Sequence, residues 1–404
     1  MKSYYLYVKQ ERYTGQDWVD VIPQVLSPDG DGTMPLVIKS NDDSVCTSIY
    51  SLQYLTIESL EDNNVIYWKT SNSANTKTIS ASTDNGATWT AYTSTTNGTQ
   101  IALLDTGEKV LLKGLNSNYI NKNYASTKQF NTYGNIMSLV YGDNFSSQTT
   151  LTSGGAFNGL FSGCTGLISA ENLVLPATTL VDACYRQMFE GCTSLTVAPE
   201  LPATTLASRC YESMFEGCTS LTTAPQLPAT TLANSCYFLM FQSCASLTTA
   251  PTLPATTLSE RCYDRMFGDC TSLTVAPELP ATSLTIWCYQ SMFYGCTSLT
   301  TAPELPATTL AEQCYGWMFY GCSSLTTAPT LPATTLANSC YSSMFGFCRS
   351  LNYIKCLATD ISATDCTKYW LDNVAASGTF VKDANTTWTT GYSGIPNNWT
   401  VQNN

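Results

Sequence analysis

The sequence predicts a mixed α/β repeat solenoid of 26-residue coils, preceded by a small all-β domain and closed by a C-terminal cap. Three observations point there. A unit reading LPATTL-xxx-CY-xx-MF-xGCTSLTxAPx recurs seven times, beginning at Leu175, Leu201, Leu227, Leu253, Leu279, Leu305 and Leu331. A period in this range, held this strictly, marks units that bury their apolar side only against their neighbours. Before the repeats, short apolar runs alternate with turn residues, which is a strand pattern. After Leu351 the unit stops, and Trp370, Trp388 and Trp399 supply the bulk of a compact end.

Residues 1–46 read as an N-terminal β attachment segment, with strands in SYYLYVKQ, WVDVIPQVL and PLVIK and a turn from Ser27 to Gly32. Asp29 and Asp31 lack the further oxygen ligands and closing Glu of a calcium loop, so a turn is expected. Residues 47–120 read as a small antiparallel β domain. Leu55–Ile57 and Val65–Trp68 are its first strands, Ile79–Tyr92 folds about a tight turn, and Ile101–Leu104 and Lys109–Leu112 flank Asp105–Glu108 as a hairpin. The turn holds Ser82-Thr-Asp84-Asn-Gly86-Ala-Thr88-Trp89, the SxDxGxTW "Asp-box" pattern known from sialidase propellers. Its Ser and Asp side chains are suited to bonding turn backbone while Trp packs beneath, so a hairpin staple is expected. A sialidase would need several boxes and an arginine triad, and that reading is rejected. Residues 121–155 are a linker and cap strand, with the strand placed in Gly134–Phe145. Residues 156–351 form the solenoid, starting with a degenerate coil from Ala156 to Leu167, and residues 352–404 form the cap, with IPNNWTV as its last strand.

Within the coil that starts at Leu201, Ala207–Cys218 reads as a short helix. At 100° per residue Cys210, Tyr211, Met214, Phe215 and Cys218 fall within an arc of about 140°, an inward stripe. Gly217 turns the chain out, and Thr219–Leu227 returns extended, with Leu221 inward. Stacked coils would place these segments in a parallel ladder about 4.8 Å apart, and wider helix spacing would curve the array with its strands inside. Pro225 cannot donate to such a ladder, so each strand must be very short or bulged there.

Composition excludes several functions. The chain has no His, which removes Ser-His-Asp and Cys-His chemistry and the commonest metal ligand. Net charge is −12 and no Lys lies between Lys128 and Lys355, so nothing resembles the basic face of a nucleic-acid reader. Fourteen of the 18 Cys occupy two fixed repeat positions eight residues apart, such as Cys210 and Cys218. On a helix that separation is about 12 Å, too far for a disulfide, and the spacing fits no compact zinc site. Buried thiols repeating with the core are expected, with pairing between neighbouring coils as the alternative; Cys46, Cys356 and Cys366 stay unassigned. No stretch is apolar enough to span a bilayer, and the first residues carry no secretory signal. LPATT lacks the Gly of a sortase signal and recurs seven times, so it is structural. No metal, cofactor, catalytic residue or enzymatic activity is expected.

The segment Phe215-Glu-Gly-Cys218-Thr-Ser-Leu221 and its counterparts resemble the bacterial leucine-rich repeats of the BspA-like or Treponema type. The unit differs from that pattern by an added Pro and by 26 residues rather than the usual 23. The wording MFxGCTSLTxAPxLPATTL behind an Asp-box domain is similar to proteins of gut Bacteroidales and of their phages, of the crAss-like virion type. The resemblance implies a solenoid of leucine-rich-repeat type and a surface adhesin or a virion fibre or decoration protein.

Outward positions carry the information about partners, because everything inward is fixed. Most are polar, as at Ser208, Arg209, Glu212 and Glu216. Exceptions are Phe238 and Leu239, then Ile286, Trp287 and Tyr294, then Trp317 and Tyr320. Exposed clustered aromatics mark an interface or a sugar platform; contact between subunits, packing against the C-terminal cap and drift on a tolerant surface are the other readings. Phe238, Trp287, Tyr294, Trp317 and Tyr320 are therefore the candidate partner-binding residues. The function expected is non-enzymatic display: a phage virion fibre or appendage protein on the virion surface, homo-oligomeric, docked on other virion proteins by its N-terminal region. The solenoid would meet a host-surface protein or glycan, without nucleic acid or membrane insertion. The alternative is a surface adhesin of a gut Bacteroidales bacterium.

Overall fold

The computed structural model of the 404-residue chain describes residues 10–13, 18–21, 37–38, 47–120, 122–126 and 128–404. Two units separate at residue 49, Met1–Ile49 and Tyr50–Asn404. In the first, β1 (Gln10–Tyr13) pairs antiparallel with β2 (Trp18–Val21), and β3 (Val37–Ile38) with β4 (Thr47–Ser48). The expected turn from Ser27 to Gly32 and Cys46 lie outside the described residues.

The second unit opens with β5 (Leu55–Ser59), β6 (Asn64–Thr70), β7 (Thr78–Ser82), β8 (Thr90–Thr93), β9 (Thr99–Leu104), β10 (Lys109–Lys113), β11 (Lys122–Ala125) and β12 (Phe130–Asn135). These make two antiparallel sheets, in the orders β12–β5–β10–β7–β8 and β11–β6–β9. Period-two patterning drives them: in β6, Ile66 and Trp68 are buried while Tyr67 between them is exposed. The hairpin expected across Asp105–Glu108 is a turn without a ladder. β9 pairs with β6, whereas β10 pairs with β5 and β7. The turn is closed by the Glu108 amide on Asp105 O at 2.9 Å, and the Gly107 amide reaches Ser59 O at 2.8 Å. It thus carries the chain from one sheet to the other, where each strand buries its apolar row.

The β7–β8 hairpin is stapled as expected. Ser82 Oγ donates to Asp84 Oδ1 at 2.6 Å and accepts from the Gly86 amide at 2.8 Å. Asp84 also accepts from the Thr88 amide and hydroxyl, and Trp89 Nε1 donates to Gly86 O. These donors, Ser82 first, hold the Asp84 carboxyl down at about 2.

The strand expected within Gly134–Phe145 lies earlier, in β12. The chain then makes one helical turn, α1 (Ser138–Tyr141), because Ser138 Oγ is committed to the sheet, donating to Leu112 O and accepting from the Leu55 amide. β12 also pairs parallel with β13 (Leu167–Ser169) and β14 (Leu173–Val174), which seats the degenerate first coil on the sheet edge.

From residue 155 onward the chain builds stacked coils, and here the structure corrects the α/β expectation: Ala207–Cys218 contains no α-helix. It is a ribbon of consecutive turns with left-handed corners at every fourth residue, Arg209 (φ 56°), Ser213 (φ 54°) and Gly217 (φ 72°). Its amides alternate between two kinds of acceptor. Cys210, Glu212, Met214 and Glu216 donate to the carbonyl three residues back, at 3.2–3.3 Å. Tyr211, Ser213, Phe215 and Gly217 donate instead to the next coil, at Cys236, Phe238, Met240 and Gln242, at 2.8–3.0 Å. A helix would spend every amide inside its own segment; this ribbon spends half on its neighbour. The helix spacing from which curvature was expected is absent from these coils.

The inward stripe itself is as expected. Cys210, Tyr211, Met214, Phe215, Cys218 and Leu221 are all buried, and their counterparts form continuous columns. Tyr211 stacks on Tyr237 with centroids 5.9 Å apart, and Phe215 on Phe241 at 5.6 Å, in the offset geometry aromatic pairs prefer. The returning segments meet in isolated parallel bridges such as Thr223↔Thr249 and Thr231↔Thr257. The Pro two residues after each Thr223-type position keeps these contacts that short.

The ribbon outlasts the 26-residue repeat. Left-handed corners recur at Asp365, Tyr369 and Asn373, Tyr341 donates to Cys366 O at 2.9 Å, and Trp370 stacks on Tyr341 at 6.2 Å. The end is a parallel sheet of β15 (Tyr353–Cys356), β16 (Thr379–Lys382) and β17 (Thr400–Asn403), into which Trp388 and Trp399 are packed.

Candidate functional site

The described cysteines of the core are held as protonated thiols. The described cysteines, from Cys164 to Cys366, are all buried and free. In one column each thiol donates to a Phe carbonyl of the preceding coil, as Cys218 Sγ does to Phe189 O at 3.1 Å. Burial pushes Cys244 up to about 12, so a thiolate, the reactive form, is suppressed. Cys356 and Cys366, unassigned by spacing, prove to be core residues, and Cys366 extends the column of Cys340. Among the described residues no group of acidic or cysteine side chains could hold a metal ion.

What varies is the outer side of the ribbon, and the structure sorts the aromatic exceptions into two clusters. In the first, the Arg261 guanidinium lies over the Phe238 ring at 5.0 Å and over the Trp287 ring at 5.4 Å. Three successive coils thus contribute to one sandwich. Arg261 also holds Asp264 at 3.1 Å, and Trp287 Nε1 donates to Gln313 Oε1 at 3.0 Å. Burial drives the Asp264 carboxyl up to about 6 despite its arginine partner. This cluster satisfies itself.

In the second, Tyr294 and Tyr320 stack in parallel, with centroids 5.2 Å apart and planes within 3°. Phe347 continues the row at 5.2 Å from Tyr320. Beside Tyr294 lies an open hollow of about 300 Å³, lined also by Gln242, Arg265, Gly268, Asp269, Gln290, Ser291 and Trp317. Tyr294 and Trp317 are the aromatic walls. Trp287 and Tyr294, seven residues apart and so on one face of any 3.6-residue helix, go to different clusters, because the ribbon turns every four residues.

Several of these side chains stand on strained backbone. Trp287 (φ 57°) and Trp317 (φ 54°) occupy left-handed corners, where a residue with a Cβ costs about 1–2 kcal/mol. The corner of Trp317 is Ser213, Ser291 and Ser343 in other coils. The polar lining, Gln242, Arg265, Asp269 and Gln290, is not among the sequence candidates, because polar residues are the rule at outward positions of these coils. A signal existed: Asp269 stands at the corner that is Gly191, Gly217, Gly295 and Gly321 elsewhere.

The family model for the BspA type leucine-rich repeat region, in 6 copies, matches residues 157–274 and 261–364, just over half of the chain. No curated protein and no solved structure matches it.

Proposed function

The chain belongs to the BspA-type leucine-rich repeat family, and from that premise we propose that it is a non-enzymatic display protein of a phage virion, a fibre or appendage that presents its repeat stack to a host surface. Repeats of this family carry a protein-interaction or adhesion role. The observation that carries the reading is the division of labour within the repeat. Every inward position is held to one residue type, while outward positions vary and bear Trp, Tyr and Phe in three coils, with Trp287 and Trp317 on left-handed corners. Stacked repeats make long surfaces of this kind.

The buried free thiols favour the virion over an exported adhesin, since a chain that assembles in a reducing cytoplasm keeps its cysteines unpaired. On this reading the N-terminal unit docks on other virion proteins, the protein is homo-oligomeric, and the outer ribbon makes the host contact. Mass spectrometry of purified particles against cell envelopes tests it. Recovery with capsid and tail proteins is expected; recovery in envelopes alone would replace the virion by a bacterial surface adhesin. Replacing Trp287, Tyr294, Trp317 and Tyr320 together by Ser should abolish attachment or change the oligomeric state, and a variant unaltered in both would remove this face from consideration.

A further inference from the structure

We propose that the hollow walled by Tyr294 and Trp317 binds one neutral hexose unit of a glycan. The proposal rests on the display reading above and names its ligand. Four successive coils contribute: Gln242, then Arg265 and Asp269, then Gln290 and Tyr294, then Trp317. Its volume of about 300 Å³ is at the small end of ligand sites, which suits a sugar ring rather than a peptide segment.

Three features select the chemistry. Tyr294 and Trp317 both line the hollow, and aromatic rings with a polar tip suit a pyranose, which is apolar on its C–H face and wet at its hydroxyls. Gln242 lines the hollow, and its Oε1 has no hydrogen-bond donor while shut from solvent, so a turn of the side chain into the hollow would let it accept one. A sugar hydroxyl is such a donor, and Asp269 beside it accepts a second. Arg265 and Asp269 carry opposite charges at the same rim, so a carboxylated sugar would gain at one and be repelled at the other. A neutral ring with vicinal hydroxyls uses both.

The residues concerned are departures that the backbone does not ask for. Asp269 replaces the glycine of other coils, and its carboxylate lies over the next coil, where a Cβ on Gly295 would collide with Asp269 Oδ1. Glycine at 295 is what lets Asp269 lie there. Trp317 places an indole at a corner that is Ser213, Ser291 and Ser343 in other coils at the same left-handed φ, so the backbone does not call for the ring.

The test uses the full chain on immobilised neutral, sialylated and uronic-acid oligosaccharides, beside Trp317→Gly and Gln242→Leu. Gly accepts the left-handed corner, so Trp317→Gly should unfold no earlier than the parent while binding a neutral glycan at least tenfold more weakly. Gln242→Leu should weaken it several-fold. Binding of no neutral glycan, of acidic glycans alone, or equal binding by Trp317→Gly overturns the proposal. Attachment to a panel of gut Bacteroidales cells before and after periodate oxidation separates it from the wider reading. Attachment that survives periodate yet is lost in Trp317→Gly overturns the sugar and leaves display standing. Neutral-glycan binding without attachment to any cell supports the sugar site and counts against the host-contact role.

Discussion

Cys218 shows how much a single side chain decides in this molecule. Its thiol is buried between coils, donates to Phe189 O, and has neither a second thiol bonded to it nor a charged neighbour to stabilise a thiolate. The cysteines from Cys164 to Cys366 should therefore react negligibly with a thiol reagent such as DTNB at pH 8 in the native protein, and all should react once denatured. Rapid modification of several thiols in the folded state would contradict their burial. Asp264 is the opposite case, a carboxyl that the fold holds at a disadvantage. Its side chain is 2% exposed, and burial raises it to about 6 from 3.8, a difference on the order of 3 kcal/mol. A carboxyl raised on folding contributes stability below its unfolded value that is lost as pH rises through about 6. Asp264→Asn should accordingly raise Tm at pH 7.5 and leave it nearly unchanged at pH 4. An equal shift at both pH values would show that the carboxyl is not the cause.

At the scale of the element, the turn ribbon is where sequence and structure part. The inward residues were legible, since Cys210, Tyr211, Met214, Phe215 and Cys218 repeat too strictly to be surface. Their spacing fits the arc of a helical stripe over so short a segment, yet CYxxMFxxC repeats every four residues without drift. A 3.6-residue helix would rotate such a stripe by about 40° per four residues, so the strict four was the available sign of left-handed corners. Propensity gave no help, because Arg209 and Ser213 are not residues that announce a positive φ. The pairing of Tyr294 with Trp317 was hidden for the same reason, and the hollow's polar lining depends on neighbours 23–27 residues away. Glycine at the third corner makes the geometry testable. At Gly217 an added Cβ meets Gly191 Cα at an ordinary 3.7 Å, so Gly217→Ala should cost about 1–2 kcal/mol from backbone strain alone. Gly295→Ala should cost more, because Asp269 is in the way, and Asp269→Gly should recover the excess. Denaturant midpoints of the two single variants and the double variant measure that coupling, and strict additivity would exclude the contact.

Across the whole stack, each coil lends half of its ribbon amides to the next, and two aromatic columns run from Tyr119 and Tyr124 through the repeats, the first reaching Trp370. Such an array is stabilised through nearest neighbours, so damage should spread outward from a coil and fade with distance. Met240→Ala and Phe267→Ala each remove a fully buried side chain and should cost roughly 2–5 kcal/mol. The direct test is native-state hydrogen exchange on Phe267→Ala, followed coil by coil. Stacked, hydrogen-bonded coils predict the largest loss of protection in residues 253–278, smaller losses in 227–252 and 279–304, and recovery towards the ends. Protection lost uniformly from 155 to 373, or lost in the mutated coil alone, would contradict coil-to-coil stacking as the source of this fold's stability.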